Sequence, residues 1–224
     1  LVDEDLLSNK IVPEPLIQFN PSFEVGESLN DLVEKGLANK GLPLVFGDYN
    51  LYYHQVEALK LGIQDKGFIV TSGTGSGKSL TYLATIFNSI LGQDKKKNGV
   101  KAILVYPMNA LINSQEEEIK KYEINYLENK AGKKLSEAEK KGKSLDDQIN
   151  LLHSRTAERF PVTFSKYTGQ EGTEKRQSVK DNPPDIILTN YMMLELIMTR
   201  HQEEWLRKSF KDNLQYLIFD ELHT

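Results

Sequence analysis

The sequence contains no cysteine, which excludes a disulfide framework and any Cys-based zinc or iron–sulfur centre. Its four histidines, His54, His153, His201 and His223, are scattered without metal-ligand spacing. Trp205 is the single tryptophan and reads as core or an interdomain contact, not as a base-stacking platform. No apolar run reaches membrane-spanning length and no leader-like segment opens the chain, so no membrane partner and a cytoplasmic location are expected. A basic excess is also missing. Lys and Arg total 28 against 32 Asp and Glu, a formal net charge of −4, so any grip on nucleic acid has to come from a local surface. The 224 residues suffice for one large or two small domains. The chain starts at Leu1 and ends at Thr224, just after an acidic pair, and reads as a piece of something longer.

Two short segments carry the chemistry. Thr71–Leu80 reads TSGTGSGKSL, with Gly73, Gly75 and Gly77 at alternate positions. Glycines let backbone N–H groups curl around a polyphosphate where a Cβ would clash. Lys78 puts a cation at the terminal phosphates and Ser79 offers a hydroxyl to Mg²⁺. The apolar run Phe68-Ile69-Val70 predicts a buried strand before the loop, and Leu80–Leu91 a helix after it, its positive end aimed at the anion. The strict pattern GxxxxGK(S/T) has Ser72 at its first glycine. ATP-contacting candidates are therefore Ser72, Gly73, Thr74, Gly75, Ser76, Gly77, Lys78 and Ser79. The second segment, Leu217-Ile218-Phe219, predicts a strand ending in Asp220-Glu221. A carboxylate there can hold Mg²⁺, and its neighbour can orient and deprotonate an attacking water. Ser79 and Asp220 are thus the metal candidates, and Glu221 and Lys78 the catalytic ones.

Apolar β-rich runs near 68–71, 101–106, 162–166, 185–189 and 216–220 alternate with helical segments. That order implies an α/β domain with a mostly parallel sheet and helices on both faces, its ligands at the C-terminal strand ends. Residues 1–28, with Pro13, Pro15 and Pro21, read as an extended arm, and Leu29–Asn39 as a lead-in helix; together they form an N-terminal unit over 1–45, ahead of a domain over 46–224. Residues 128–147 are highly charged and nearly free of bulky apolar side chains, which reads as a solvated helix, a flexible insertion, or both.

The order of these motifs resembles the first RecA-like domain of superfamily 2 helicases, from about Asn50 onward. Leu51–Leu59, LYYHQVEAL, resembles the Q motif, which implies that Gln55 reads the adenine edge. Ser72–Ser79 resembles motif I, and Asp220–His223, DELH, resembles motif II of the DExH type. YPMNALINSQ at Tyr106–Gln115, YTGQ at Tyr167–Gln170 and ILTNYMMLE at Ile187–Glu195 resemble motifs Ia, Thr-Gly and Ib. These imply nucleic-acid contacts at Pro107, Met108, Asn109, Thr168, Gly169, Thr189 and Asn190. The spelling is similar to large bacterial DEAD/DEAH-box helicases carrying a C-terminal domain of unknown function, which favours DNA over RNA. The upstream aromatic of the DEAD-box Q motif is replaced by Ala38, leaving Tyr52 or Phe46 to stack on adenine.

The resemblance implies a RecA-like P-loop NTPase fold, ATP and Mg²⁺ as cofactors, and DNA or RNA as partner. It also implies a second RecA-like domain that supplies an arginine finger, so that the isolated chain binds nucleotide weakly and hydrolyses it poorly. Two alternatives stay open: a double-strand translocase that does not separate strands, and a nucleotide-gated interaction module.

Overall fold

A computed structural model describes residues 23–73, 75–93 and 98–222. Thr74, His223, the charged turn at 94–97 and most of the expected arm lie outside the described residues.

The chain enters through β1 (Val25–Ser28) and α1 (Leu29–Glu34), followed by α2 (Leu42–Phe46), β2 (Asn50–Tyr52) and α3 (Tyr53–Ile63). β1 pairs antiparallel with β2. Ser28 caps α1 through a capping box with Asp31. Leu29, Leu32, Leu42 and Val45 are fully buried in the same core as the rest of the domain. The segment from Val25 onward is therefore built into the main body and is not a loose arm.

α4 (Lys78–Leu91) is buried over most of its surface, with Leu83, Ile86 and Phe87 fully buried between sheet and helices. It approaches α3 so closely that a Cβ on Gly62 would stand 2.1 Å from Thr85 Cγ2. Next come β3 (Ala102–Tyr106) and the long α5 (Asn109–Ala131). After α5 come the short, exposed α6 (Glu137–Lys140) and α7 (Leu145–His153), and α7 folds back onto α5. Leu135, Ile149 and Leu152 enter the core, the buried Glu128 carboxylate accepts from Leu135 N–H at 2.8 Å, and Arg155 pairs with Glu139. Leu135 within the segment, and Ile149 and Leu152 just after it, contribute roughly 1.5–3 kcal/mol each to holding it against the domain.

The remaining elements are β4 (Phe164–Lys166), α8 (Thr173–Asp181), β5 (Ile186–Asn190), α9 (Tyr191–Thr199), α10 (Glu204–Asn213) and β6 (Tyr216–Phe219). The sheet runs β4-β5-β3-β6, and every pair in it is parallel. Leu104 lies opposite Leu188 on one side and Ile218 on the other. Strands covered on both faces read as continuous apolar runs, as AILVY in β3 does. Successive side chains alternate: Ala102, Leu104 and Tyr106 face the core shared with α1–α5, while Ile103 and Val105 face the smaller core under α9 and α10.

One expected strand is not formed. Phe68–Thr71 lies near the P-loop as irregular chain, and Ile69 is 89% exposed. A cavity of about 650 Å³ separates this segment from edge strand β6, whose Leu217 and Phe219 are also exposed. A strand needs a neighbour to take its N–H and C=O groups, and no described strand is hydrogen-bonded to 68–71.

Candidate nucleotide site and neighbouring strand ends

Gly75 and Gly77 hold the P-loop in left-handed backbone (φ 78° and 69°), a conformation in which a Cβ is strained. At Gly77 a Cβ would also meet Gln55 Nε2 at 2.5 Å. The loop is fastened from α3. Gln55 Nε2 donates to Gly77 O at 3.0 Å, its Oε1 accepts from Tyr52 N–H at 2.9 Å, and His54 Nε2 donates to Ser76 O at 3.1 Å. Both ends of the Gln55 amide are thus engaged by the chain's own backbone. Within the loop, Ser72 Oγ and Ser76 Oγ lie 2.5 Å apart, and Lys78 Nζ donates across the loop to Ser72 O at 2.9 Å. Carbonyls hold the ammonium where an anion would compete for it more strongly.

The acidic pair closes the site from the sheet. β6 carries Asp220 to the top of the sheet, where its N–H donates to Val105 O at 2.9 Å. Burial pushes its carboxyl above the ordinary aspartate range, and the nearby Lys78 opposes that shift. Glu221 turns the chain in left-handed backbone (φ 50°), which costs an L-residue roughly 1–2 kcal/mol. Strain of this kind concentrates at functional sites. Ser72, Lys78, Asp220 and Glu221 line one cavity. The Tyr82 hydroxyl oxygen lies 3.5 Å from Asp220 Oδ2, one of the two metal candidates. Burial raises the Tyr82 and Tyr106 hydroxyls far above the usual tyrosine range, so both remain protonated donors. A hydroxyl and one carboxylate form the sparse protein donor set that Mg²⁺ takes when phosphates and water complete its shell. No larger cluster of metal-ligating side chains occurs among the described residues.

The strand-end loops fall into two groups. Asn109, at the start of α5, and Asn190, which caps α9, meet directly: Asn190 Nδ2 donates to Asn109 Oδ1 at 2.8 Å. Pro107 is half-buried beside them, and Met108 is exposed. Thr168 and Thr189 are instead turned inward. Thr189 is fully buried and donates to Tyr167 O at 2.7 Å; Thr168 gives its hydroxyl and N–H to Glu171 Oε2. Gly169 and Gln170 stay exposed beside them. Of the two adenine-stacking candidates, Phe46 is packed in the core against Phe87 and Tyr122, while Tyr52 sits near the loop beside His54 and Phe23.

A DEAD/DEAH box helicase family model matches residues 52–163, half of the chain. The chain belongs to the DEAD/DEAH box helicase family. It is 30% identical over its whole length to an uncharacterized ATP-dependent helicase of Methanocaldococcus jannaschii, of which it spans 26%. It is 25% identical over 88% of its length to the ATP-dependent helicase YprA of Bacillus subtilis, of which it spans 20%. Its fold matches the DUF1998 helicase MrfA bound to DNA and AMPPNP with a TM-score of 0.64 at 20% identity, covering 98% of this chain and 26% of MrfA. The chain thus spans about a quarter or less of these relatives, and it is a superfamily 2 first RecA-like domain.

In this DEAD/DEAH box domain, sequence reasoning set His54 aside among scattered histidines, although it holds the P-loop beside Gln55. Its place within LYYHQ was the available signal. Tyr82 lies outside every motif, and Gln115 closes the YPMNALINSQ segment without a role of its own having been read for it. Among the described residues no helix is long and apolar enough to cross a membrane.

Proposed function

We propose that this chain is the nucleotide-binding half of a motor that couples ATP hydrolysis to movement along, or strand separation of, nucleic acid, with DNA preferred. The observation that carries the reading is the convergence of Lys78, Asp220 and Glu221 on one cavity beside a glycine loop held in left-handed backbone. Lys78 leaves the Ser72 and Gly73 carbonyls for the β- and γ-phosphates. Ser79 and Asp220 hold Mg²⁺, which neutralises charge on the phosphates when bound. Glu221 orients the attacking water and accepts its proton.

The polymer runs over the strand ends next to this site. Asn109 and Asn190 present one surface, and the N-terminus of α5, which has no side-chain cap, offers free N–H groups to a phosphate. Thr168 and Thr189 shape their loops from below, leaving Gly169 and Gln170 as the exposed contacts. Backbone contacts carry no base information, which suits a motor that must pass every sequence. The preference for DNA follows the motif spelling; among fold neighbours, MrfA is bound to DNA and Mss116 to single-stranded RNA. A second RecA-like domain in the longer polypeptide closes the nucleotide cleft and supplies the arginine.

ATP turnover by the full-length protein, measured with and without polymer, tests this. Single-stranded DNA of unrelated sequences is expected to stimulate turnover equally, and rising salt to weaken the stimulation. Stronger stimulation by RNA would reverse the preference. Absence of stimulation by either polymer would remove the motor reading.

A further inference from the structure

The top of the sheet holds a buried polar cluster with no assigned role in hydrolysis. Tyr82 on α4 and Tyr106 at the end of β3 are 6% and 1% exposed, and their hydroxyl oxygens lie 3.2 Å apart. The Tyr82 oxygen is also 3.3 Å from Gln115 Oε1 on α5 and 3.5 Å from Asp220 Oδ2. The amide oxygen and the carboxylate only accept. With Tyr106 donating to Tyr82, the Tyr82 hydroxyl has one proton for two competing acceptors, one on α5 and one at the metal-binding carboxylate.

Gln115 is poised to shift. Its side chain is nearly wholly buried, yet Nε2 has no hydrogen-bond partner among the described residues. An unsatisfied buried donor is costly, so a displacement that finds it a partner is favoured. Gln115 lines a cavity of about 500 Å³ together with Gln55, Gly77 and Ser79, which leaves room to move. It lies six residues into α5, about 9 Å along the axis from Asn109.

We propose that Tyr82 is a positioning residue that couples polymer contact at the start of α5 to Asp220 through this single shared proton. Displacement of α5 moves the proton between Gln115 and the carboxylate, and so changes how Asp220 is held for its cation. The inference rests on the proposed nucleic-acid reading. Because coupling between two binding sites is reciprocal, Mg²⁺ and nucleotide must change polymer affinity by the same factor as polymer changes theirs.

The test is a binding measurement. Affinity of the full-length protein for a single-stranded oligonucleotide is measured with and without saturating Mg²⁺ and a non-hydrolysable ATP analogue. The wild-type ratio is expected to be about fivefold or more. Tyr82→Phe and Gln115→Met, whatever their affinity for each ligand alone, should bring the ratio close to one. Tyr106→Phe disturbs the same packing but leaves the shared proton, and should keep the wild-type ratio. A wild-type ratio in Tyr82→Phe, an equal loss in Tyr106→Phe, or no ratio in a wild type that binds both ligands would each overturn the proposal. A wild type that binds no polymer would instead refute the motor reading, and the inference with it.

Discussion

Lys101 Nζ lies 2.6 Å from Asp185 Oδ1, with both side chains 3% exposed or less, at the end of the sheet opposite the nucleotide loop. The other Asp185 oxygen accepts from the Thr163 hydroxyl and N–H, each at 2.8 Å, tying β4 to β5 and β3. Removing one partner strands a buried charge, so Lys101→Ala should lower unfolding free energy by roughly 3–5 kcal/mol. Urea denaturation measures this, and a loss under about 1 kcal/mol would show that the pair is dispensable.

Glu123 makes stability depend on pH. It sits on α5 facing α7, with Lys120 and Asp146 nearby and His153 Nε2 at 4.0 Å. Burial is the main cause of a carboxyl pKa raised from 4.5 to about 7; Asp146 adds to the shift and Lys120 opposes it. The folded state therefore holds this proton more tightly than the unfolded chain. The resulting stabilisation is complete below pH 4.5 and is lost as pH rises through about 7. Burial shifts His153 downward, which acts in the opposite direction on acidification. Glu123→Gln isolates the carboxyl: relative to wild type it should gain on the order of 1–3 kcal/mol between pH 5 and pH 8. A difference that stays constant across that range would contradict the assignment.

The fastening of the P-loop from α3 makes a helix–helix contact matter for ligand binding. Gly62→Ala pushes against Thr85, and overpacking of this kind costs roughly 1–3 kcal/mol. Gln55→Ala removes a buried side chain together with its bonds to Gly77 O and Tyr52 N–H, and should weaken nucleotide affinity by about tenfold. Titration with a fluorescent ATP analogue checks both, and an unchanged affinity in Gln55→Ala would show that the fastening is incidental.

Much of this was legible in the sequence. β3 and β5 announce themselves because parallel strands covered on both faces are unbroken apolar runs, β6 because its apolar run ends in an acidic pair at the sheet edge, and Gly75 and Gly77 because they stand where the loop takes left-handed backbone. Phe68–Val70 has the same apolar signature as β3 but forms no strand, since pairing depends on a neighbour that local composition does not encode. In the charged insertion over 128–147, α6 is an exposed helix while Leu135 reaches the core, a docking point that a highly charged composition does not announce. Thr168 and Thr189 show the limit of motif reading, because spacing places them at strand ends without saying whether their hydroxyls face outward or into the fold.

The irregular segment gives a direct check on the fold. In hydrogen exchange on this chain, the amides of Ile103–Val105 and Ile187–Leu188 should be strongly protected, and those of Phe68–Val70 should exchange as an open loop. Protection of Phe68–Val70 equal to that of β3 would mean that the strand forms after all.

The central claim is that Lys78 and Glu221 have separable roles around one bound nucleotide. Binding and turnover of ATP by full-length Lys78→Ala and Glu221→Gln proteins test it most directly. Lys78→Ala should lose binding, because the cation at the phosphates is gone. Glu221→Gln should bind ATP as wild type does while turnover falls by about 100-fold or more. Undiminished turnover in either variant, or loss of ATP binding in Glu221→Gln, would contradict the account.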